Sequence, residues 1–549
     1  MSKQVKSVAK GISILSIAGM ICKVVGLLFS IPLNMIGEEG VAEAGKVANI
    51  FYLVYPTYTL LLTVSSAGLP VAVSRMVADF LARDDARNAK NTFRVALLML
   101  LSIGGFFSVI MVAMNRVLVN MVSCQTTSLG FYAIAPCVMI VCVLSAFRGF
   151  IQGQQNMVPT AVSQLIEQCG KVVLSLPLAY VGIHVFRSLE LGAAGALLGI
   201  TLSEVIAMVY MIIRWKVKKP EYDALPQAPD LKPVEGRTLL RRLIIISIPI
   251  TISACIIPLS QFIDSAMMIK RMMTAGLTQA AAEDAYGAFT SAVIRLINIP
   301  TALALAISIS LVPGVSSRFA VHDDEGVRRE INTGMRYAFL IGFPCSIGMS
   351  LLSYRIVSFF YFGWSAYRIK LASELLTFSA LTVILFTVVQ ATSSILQGIR
   401  KQKIPMYTMI AGVAVKILLN YILIGTPGVD IHGGPYASIA CYSVVMVLNI
   451  FYVCKYTKMK FRWMTWVVRP GLAAIAMGVV VYLLKTVLPG GRITTILCVA
   501  AGVLVFAAAA ILLKAVTRND LNAILHRRKK QHEICNCCFN RARGSGISE

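Results

Sequence analysis

The chain is written as long apolar runs broken by short polar punctuation, from one end to the other. Each run reaches about 20 predominantly apolar residues, long enough to cross the hydrocarbon layer as a helix. The pattern predicts 14 spans, near 11–34, 47–68, 94–115, 128–150, 158–182, 191–213, 240–263, 286–312, 335–358, 373–396, 405–425, 434–454, 464–487 and 493–514. The first run exceeds a signal-peptide core and lacks a small-residue cleavage site, so it reads as a retained span. One polar stretch, "KVKKPEYDALPQAPDLKPVEGR", holds four prolines and many charges and reads as a linker.

Two blocks of the pattern occur twice, in the same order. Gln152-Gly153 matches Gln397-Gly398, and Lys171 and Lys416 each follow their glutamine by 19 residues. Upstream, "YPTYTLLLTVSSAGLPVAVSR" is matched by "IPTALALAISISLVPGVSSR", pairing Arg75 with Arg318. The copies cover spans one to six and seven to twelve. Six is even, so both enter the membrane from the same side as a parallel repeat. The expected fold is therefore all-α: a lobe at 1–215, a linker at 216–237, a second lobe at 238–460, two added helices at 461–516 and a basic tail at 517–549.

Composition agrees, with 57% hydrophobic and 14% charged residues, where a soluble domain carries about a quarter charged. The formal charge of +26 raises nucleic acid as a partner, and its distribution argues against one. Of 51 Lys and Arg, 37 fall in the termini and even-numbered loops, 10 in the odd-numbered loops and four inside spans. That bias predicts both termini in the cytoplasm. The cysteines of the tail "HEICNCCFN" fit no common zinc spacing and read as reduced thiols.

Seven ionisable residues fall inside spans: Lys23, Glu167, Lys171, Glu204, Asp264, Arg295 and Lys416. Facing lipid, they would cost on the order of 20 kcal/mol together, so they are expected to face protein or a watery cleft. Glu167 and Lys171, four residues apart, share a helix face and are expected to pair, as a structural bridge or as a charge-coupling group. Lys416 has Gly412 in the place of that glutamate and is expected to remain free for an anion, with Asp264 or Glu204 as the other candidate partners. Arg295, Lys23 and Lys416 form the candidate anion site, suited to a phosphate or diphosphate. The Asp84-Asp85 and Asp323-Asp324 pairs read as solvated caps or ion pairs. No nucleotide loop, zinc motif or catalytic triad is present, so neither an enzyme nor a metal site is expected.

The phrases "SSAGLPVAVSRMVADFLARDD", "FRGFIQGQQNMVPTAVSQLIEQ" and "SSILQGIRKQKIPMYTMIAGVAVKILLNYIL" resemble the SpoVB and MurJ-type branch of the multidrug/oligosaccharidyl-lipid/polysaccharide exporter superfamily. The resemblance runs over roughly residues 10 to 515. It implies a flippase carrying lipid II, a polyprenyl-diphosphate-linked peptidoglycan unit, across a bacterial plasma membrane by alternating access. It implies two six-helix lobes, with the added helices forming a groove for the polyprenyl tail. Family cavity arginines correspond to Arg295, through "RLINIP", and to Lys23. A further one, late on the first helix, meets Phe29-Ser30 here. The chain is expected to act as a monomer without cofactor, with membrane lipids and cell-wall synthesis enzymes as neighbours. The energy source stays open between membrane potential, Na+ and H+. Three competing readings are a flippase for another polyprenyl-linked glycan, a cation-coupled multidrug antiporter of the same superfamily, and a membrane scaffold.

Overall fold

The computed structural model describes residues 43–223 and 232–516, together with 18, 21–22, 25–26 and 28–37 of the first span; side chains at 302 and 305–310 are excepted. Lys23, residues 224–231 of the expected linker and the cysteine-containing tail lie outside the described residues. Among these residues the elements are helices, with no strand. Eleven helices are long and apolar enough to cross a membrane, or twelve if one bent pair is a single span. The fold class is the expected one, while the count of fourteen is not established.

Where spans and helices differ, the reason is local. The expected span 335–358 is split: Asp324–Leu351 ends at a 78° bend and Ser353–Phe360 turns away. Arg355 on the short arm donates to the carbonyls of Lys485 and Leu488 at 2.8 and 2.7 Å, and Lys485 donates back to Leu351 O at 2.8 Å. Each chain end thus caps the other's orphan carbonyls, fixing the helix Arg469–Val487 to the bend. The helices also outrun their apolar cores. Gly236–Thr274 has 39 residues, about 58 Å at 1.5 Å per residue, because backbone groups beyond the lipid still find their best partners within the helix. For the same reason Leu189–Asp223 continues into the segment expected as linker.

The duplication is written in the backbone. Helices Ala86–Ala113 and Asp324–Leu351 have 28 residues each, and each is followed by an eight-residue helix, Asn115–Val122 and Ser353–Phe360. Asp85 and Asp323 cap the two long helices, accepting from the N–H of Asn88 and Gly326. Asp84 and His322, just before the caps, both have φ of 55°. Gly153 lies against Val77 and Gly398 against Val315. This register matches Phe80, not Arg75, to Arg318, and so corrects the pairing of Arg75 with Arg318. Short motifs carried that alignment, and it slips by five residues because the chain between proline and turn differs in length.

The helix Gly236–Thr274 belongs by sequence to the second half, yet packs on the first-half helices Lys46–Ser66, Leu69–Leu81 and Ala86–Ala113 as well as on Lys403–Ile424. It joins the two bundles. The face bearing Asp223, at the end of Leu189–Asp223, and Gly236, at the start of Gly236–Thr274, is the linker face and the opposite one the far face. Leu98, Phe106, Val109, Val173 and Leu504 stand exposed along the spans, as lipid-facing side chains do.

Candidate functional site

Helix Lys46–Ser66 carries an aromatic ridge of Phe51, Tyr52, Tyr55 and Tyr58, with Phe51 and Tyr55 stacked at 5.4 Å. Two cations reach this ridge from different halves. The Lys171 ammonium, from Val158–His184, lies 4.7 Å from the Phe29 ring centre, 5.5 Å from Phe51 and 4.8 Å from Tyr55. The Arg295 guanidinium lies 4.3 Å from the ring centre of Tyr52. Ring faces attract cations when water is scarce, so the ridge holds both without a carboxylate.

Local chain irregularities aim Arg295. A π-helical turn, Ala288–Val293, directly precedes its helix, and Pro300 follows within it. The wide turn shifts the side-chain register and the proline loosens the next one, leaving the guanidinium at the junction between lobes. Its Nε is enclosed with no hydrogen-bond partner among the described residues.

Within the first half, a cavity of about 340 Å³ is lined by Tyr58, Arg148, Gln164, Glu167, Lys171 and Glu204 among others. Arg148 binds Glu167 Oε2 at 3.1 Å and Ser163 Oγ at 2.9 Å, while Gln168 donates to Glu167 Oε1 at 3.0 Å. The expected Glu167–Lys171 pair is therefore not formed. The Arg148 guanidinium from Ser128–Gly153 takes one carboxylate oxygen and Gln168 the other, and the lysine turns to the rings. Arg148 escaped the sequence reading because it sits near a span end, where it counted as a topology charge. Glu204 is 3% exposed, and its Oε2 has no partner among the described residues.

In the second half the lysine takes the other course. Lys416 bonds directly to Asp264 Oδ2 and donates to Ser260 Oγ at 3.3 Å, while Asn420 donates to Asp264 Oδ1 at 2.8 Å. The expectation of a free Lys416 is corrected: helix Gly236–Thr274 brings Asp264, 152 residues away, to the place where local spacing offered only Gly412. Glu204 remains far from it in the first half.

The far face is sealed by polar contacts between the halves. Lys46 meets Asp284 at 2.9 Å, Asn49 donates to Asp284 at 3.2 Å, and Arg368 binds Asn49 Oδ1. Trp364 Nε1 donates to Asn34 O at 3.1 Å, and Ser30 and Tyr361 both donate to Ser291 O at 3.3 Å. Gly45, at φ 93°, lets this seal close. A Cβ there would stand 2.7 Å from Trp364 Nε1 and 2.9 Å from the Arg368 guanidinium.

An apolar groove of about 630 Å³ runs beside the bend, lined by Leu296, Leu303, Met349, Phe359, Val481 and Phe506 among others. Its wall begins at Leu296, the residue after Arg295. Among the expected site residues, the structure thus brings Glu167, Lys171 and Glu204 to one cavity, joins Lys416 to Asp264, and sets Arg295 between ridge and groove. Among the described residues no cluster of three His, Cys, Asp or Glu could hold a metal.

Two helical halves, with a polar cavity in the first, an apolar groove in the second and polar contacts joining them on one face, have the plan of a membrane transporter. The chain belongs to the polysaccharide biosynthesis protein family, whose profile matches residues 8–319; a MatE profile matches residues 249–422. It is 27% identical to the lipid II flippase MurJ of Bacillus subtilis (strain 168), over 76% of this chain and 77% of that one. It is 28% identical to stage V sporulation protein B of the same organism, over 81% and 83%. In fold it resembles lipid II flippase MurJ in an inward closed conformation, with a TM-score of 0.69 at 12% identity, covering 92% of this chain and 99% of that one. An inward-facing multidrug resistance MATE family transporter of the MOP superfamily gives 0.67 at 16% identity, over 82% and 100%. Among these relatives MurJ is a flippase and the MATE protein a transporter, neither of them an enzyme.

Proposed function

We propose that the chain is a flippase for a polyprenyl-diphosphate-linked cell-wall precursor, lipid II, in the bacterial plasma membrane. One observation carries the reading: Arg295, without an acidic partner among the described residues, stands between the halves one residue from the wall of an apolar groove. A diphosphate is held by a guanidinium through paired, charge-assisted hydrogen bonds, and an isoprenoid chain gains by leaving water for an apolar groove. Lys171, across the ridge from Arg295, supplies a second positive charge. Similarity to the lipid II flippase MurJ supports this cargo.

In this reading the linker face is cytoplasmic, with both termini on that side, which the distribution of Lys and Arg supports. The far-face seal then closes the exit while cargo loads from the inner leaflet, and alternating access breaks the seal to release it outward. A second reading, a cation-coupled multidrug antiporter, draws on the MatE match over residues 249–422 and on the acids Glu167 and Glu204.

The test is binding by purified protein of lipid II, another polyprenyl-diphosphate glycan and a cationic dye, with Arg295→Ala alongside. Lipid II preference that the variant loses supports the flippase. Equal binding of both glycans widens the cargo to polyprenyl diphosphates in general. Dye preference, unaffected by the variant, moves the chain to the antiporter reading.

A further inference from the structure

The first-half cavity contains an acid whose surroundings do not account for a charge. Glu204, midway along Leu189–Asp223, is 3% exposed, with Oε2 enclosed and unpartnered among the described residues. Each cation that faces it is engaged elsewhere. From Ser128–Gly153 come Arg148, bound to Glu167 and Ser163, and the thiol of Cys137. From Val158–His184 come Glu167 itself and Lys171, whose ammonium lies over three rings. From Lys46–Ser66 come the phenols of Tyr55 and Tyr58, the latter accepting from Cys137 Sγ at 3.2 Å. The first span adds Cys22, whose Sγ is 3.6 Å from Gln164 O. The Glu167 carboxylate, of like sign, lines the same cavity as Glu204.

Two carboxylates in one enclosed site cannot both ionise when a single guanidinium serves one of them. An unpaired buried ion costs several kcal/mol, and a bound proton removes that cost. We propose that Glu204 and Glu167 form a proton-binding site that couples proton movement to the transport cycle. Glu204 carries the proton on its oxygen while Arg148 neutralises Glu167. The cavity, lined by the polar Gln152, Thr160, Gln164 and Gln168 toward the linker face, connects it with water.

Release transfers the proton from the Glu204 carboxyl to water and leaves a carboxylate beside Lys171, the cation with no acid of its own. That new charge draws Lys171 off the Phe29, Phe51 and Tyr55 rings, and so alters the ridge on whose other side Arg295 sits. Proton loading on one side of the protein thereby changes the charge offered to cargo on the other. The coupling half of this inference rests on the transport reading; the protonation half does not.

The experiment is therefore in two parts. Infrared difference spectra of purified, substrate-free protein, in H2O and D2O, report protonated carboxyl groups. A protonated-carboxyl band at neutral pH that is lost in Glu204→Gln and shifted in Glu167→Gln is expected. Glutamine matches the neutral acid in shape, so E204Q should fold; Glu204→Asp, which keeps the acid, should retain a displaced band. Absence of any band that E204Q removes overturns the proposal, as does a band that answers to Na+ at fixed pH rather than to pH. In proteoliposomes, lipid II flipping should depend on an imposed pH gradient in wild type and lose that dependence in E204Q. Equal gradient dependence in both overturns the coupling. If lipid II is not moved at all, the infrared result still decides whether the proton site exists.

Discussion

Lys171 and Lys416 hold equivalent positions in the two halves, and their ammonium groups meet opposite environments. Lys416 is neutralised by Asp264, with Asn420 and Ser260 completing the shell. Lys171 has aromatic rings and no acid within bonding distance, because its helix neighbour Glu167 is taken by Arg148. Duplication supplied one lysine twice. The second half fixed it as an internal bridge, while the first kept its charge at the junction between lobes.

For the second-half bridge, removing one partner should cost more than removing both. Lys416 and Asp264 side chains are 17% and 14% exposed, so Lys416→Met or Asp264→Leu alone strands a buried charged group and should cost about 3 kcal/mol. The double variant Lys416→Met with Asp264→Leu should recover at least half of that loss. Thermal unfolding of the detergent-solubilised protein measures this as a cycle. Equal loss in all three would mean that the pair contributes by packing alone.

In the first half the sensitive residue should be Arg148, not Lys171. Arg148→Met leaves Glu167 without its guanidinium beside Glu204 and should lower stability by about 2–3 kcal/mol. Lys171→Met keeps an unbranched side chain against the same rings and orphans no acid. It should cost under 1 kcal/mol while lowering affinity for a polyprenyl diphosphate. Unfolding curves and lipid binding on the two variants separate the roles; matching losses of stability would restore the Glu167–Lys171 bridge.

The cap at Asp323 supplies a pH dependence. The backbone N–H of Gly326 donates to Asp323 at 2.8 Å, and this bond, with help from Arg318, holds its carboxyl below the usual aspartate range. A carboxyl lowered in the folded state stabilises fully above its unfolded value, about 3.9, and loses that contribution as pH falls through the folded value. Asp323→Ala should raise amide exchange in the first turn of Asp324–Leu351 severalfold at neutral pH. The difference from wild type should shrink only below about pH 4. A difference that faded already at pH 6 would point to another group.

Hydropathy and repeats made the all-helical plan readable, because a helix in lipid must satisfy its own backbone and so declares itself by length. What they missed depends on contacts across the chain. Nothing near Lys416 in sequence announces Asp264, and Arg148 looks like a span-end charge until Glu167 is seen 19 residues on. The bend after Leu351 is invisible to hydropathy, since both arms are apolar. For Arg295 the sequence carries only the expectation that an arginine inside a span faces protein or water, and the guanidinium lies over Tyr52 of the other half.

The far-face seal offers a way to bias the transport cycle. Gly45 has φ 93°, and its missing Cβ leaves room for Trp364 Nε1 and the Arg368 guanidinium. Alanine there is strained by the left-handed backbone, at about 1 kcal/mol, and also pushes against both side chains that close the seal. Gly287 packs as tightly, its α-carbon so close to Asn49 that a Cβ would overlap the amide. In a two-state cycle, a perturbation confined to the closed far face shifts population toward the state open there, about tenfold for each 1.4 kcal/mol. Gly45→Ala should therefore increase labelling of a cysteine placed at Ser291 by a membrane-impermeant thiol reagent. Asp284→Asn, which releases Lys46 and weakens the hold on Asn49, should do the same by removing attraction rather than adding bulk. Two variants with opposite chemistry and one shared outcome would tie the effect to opening of the seal. Labelling unchanged in both would mean that these contacts do not gate the far face.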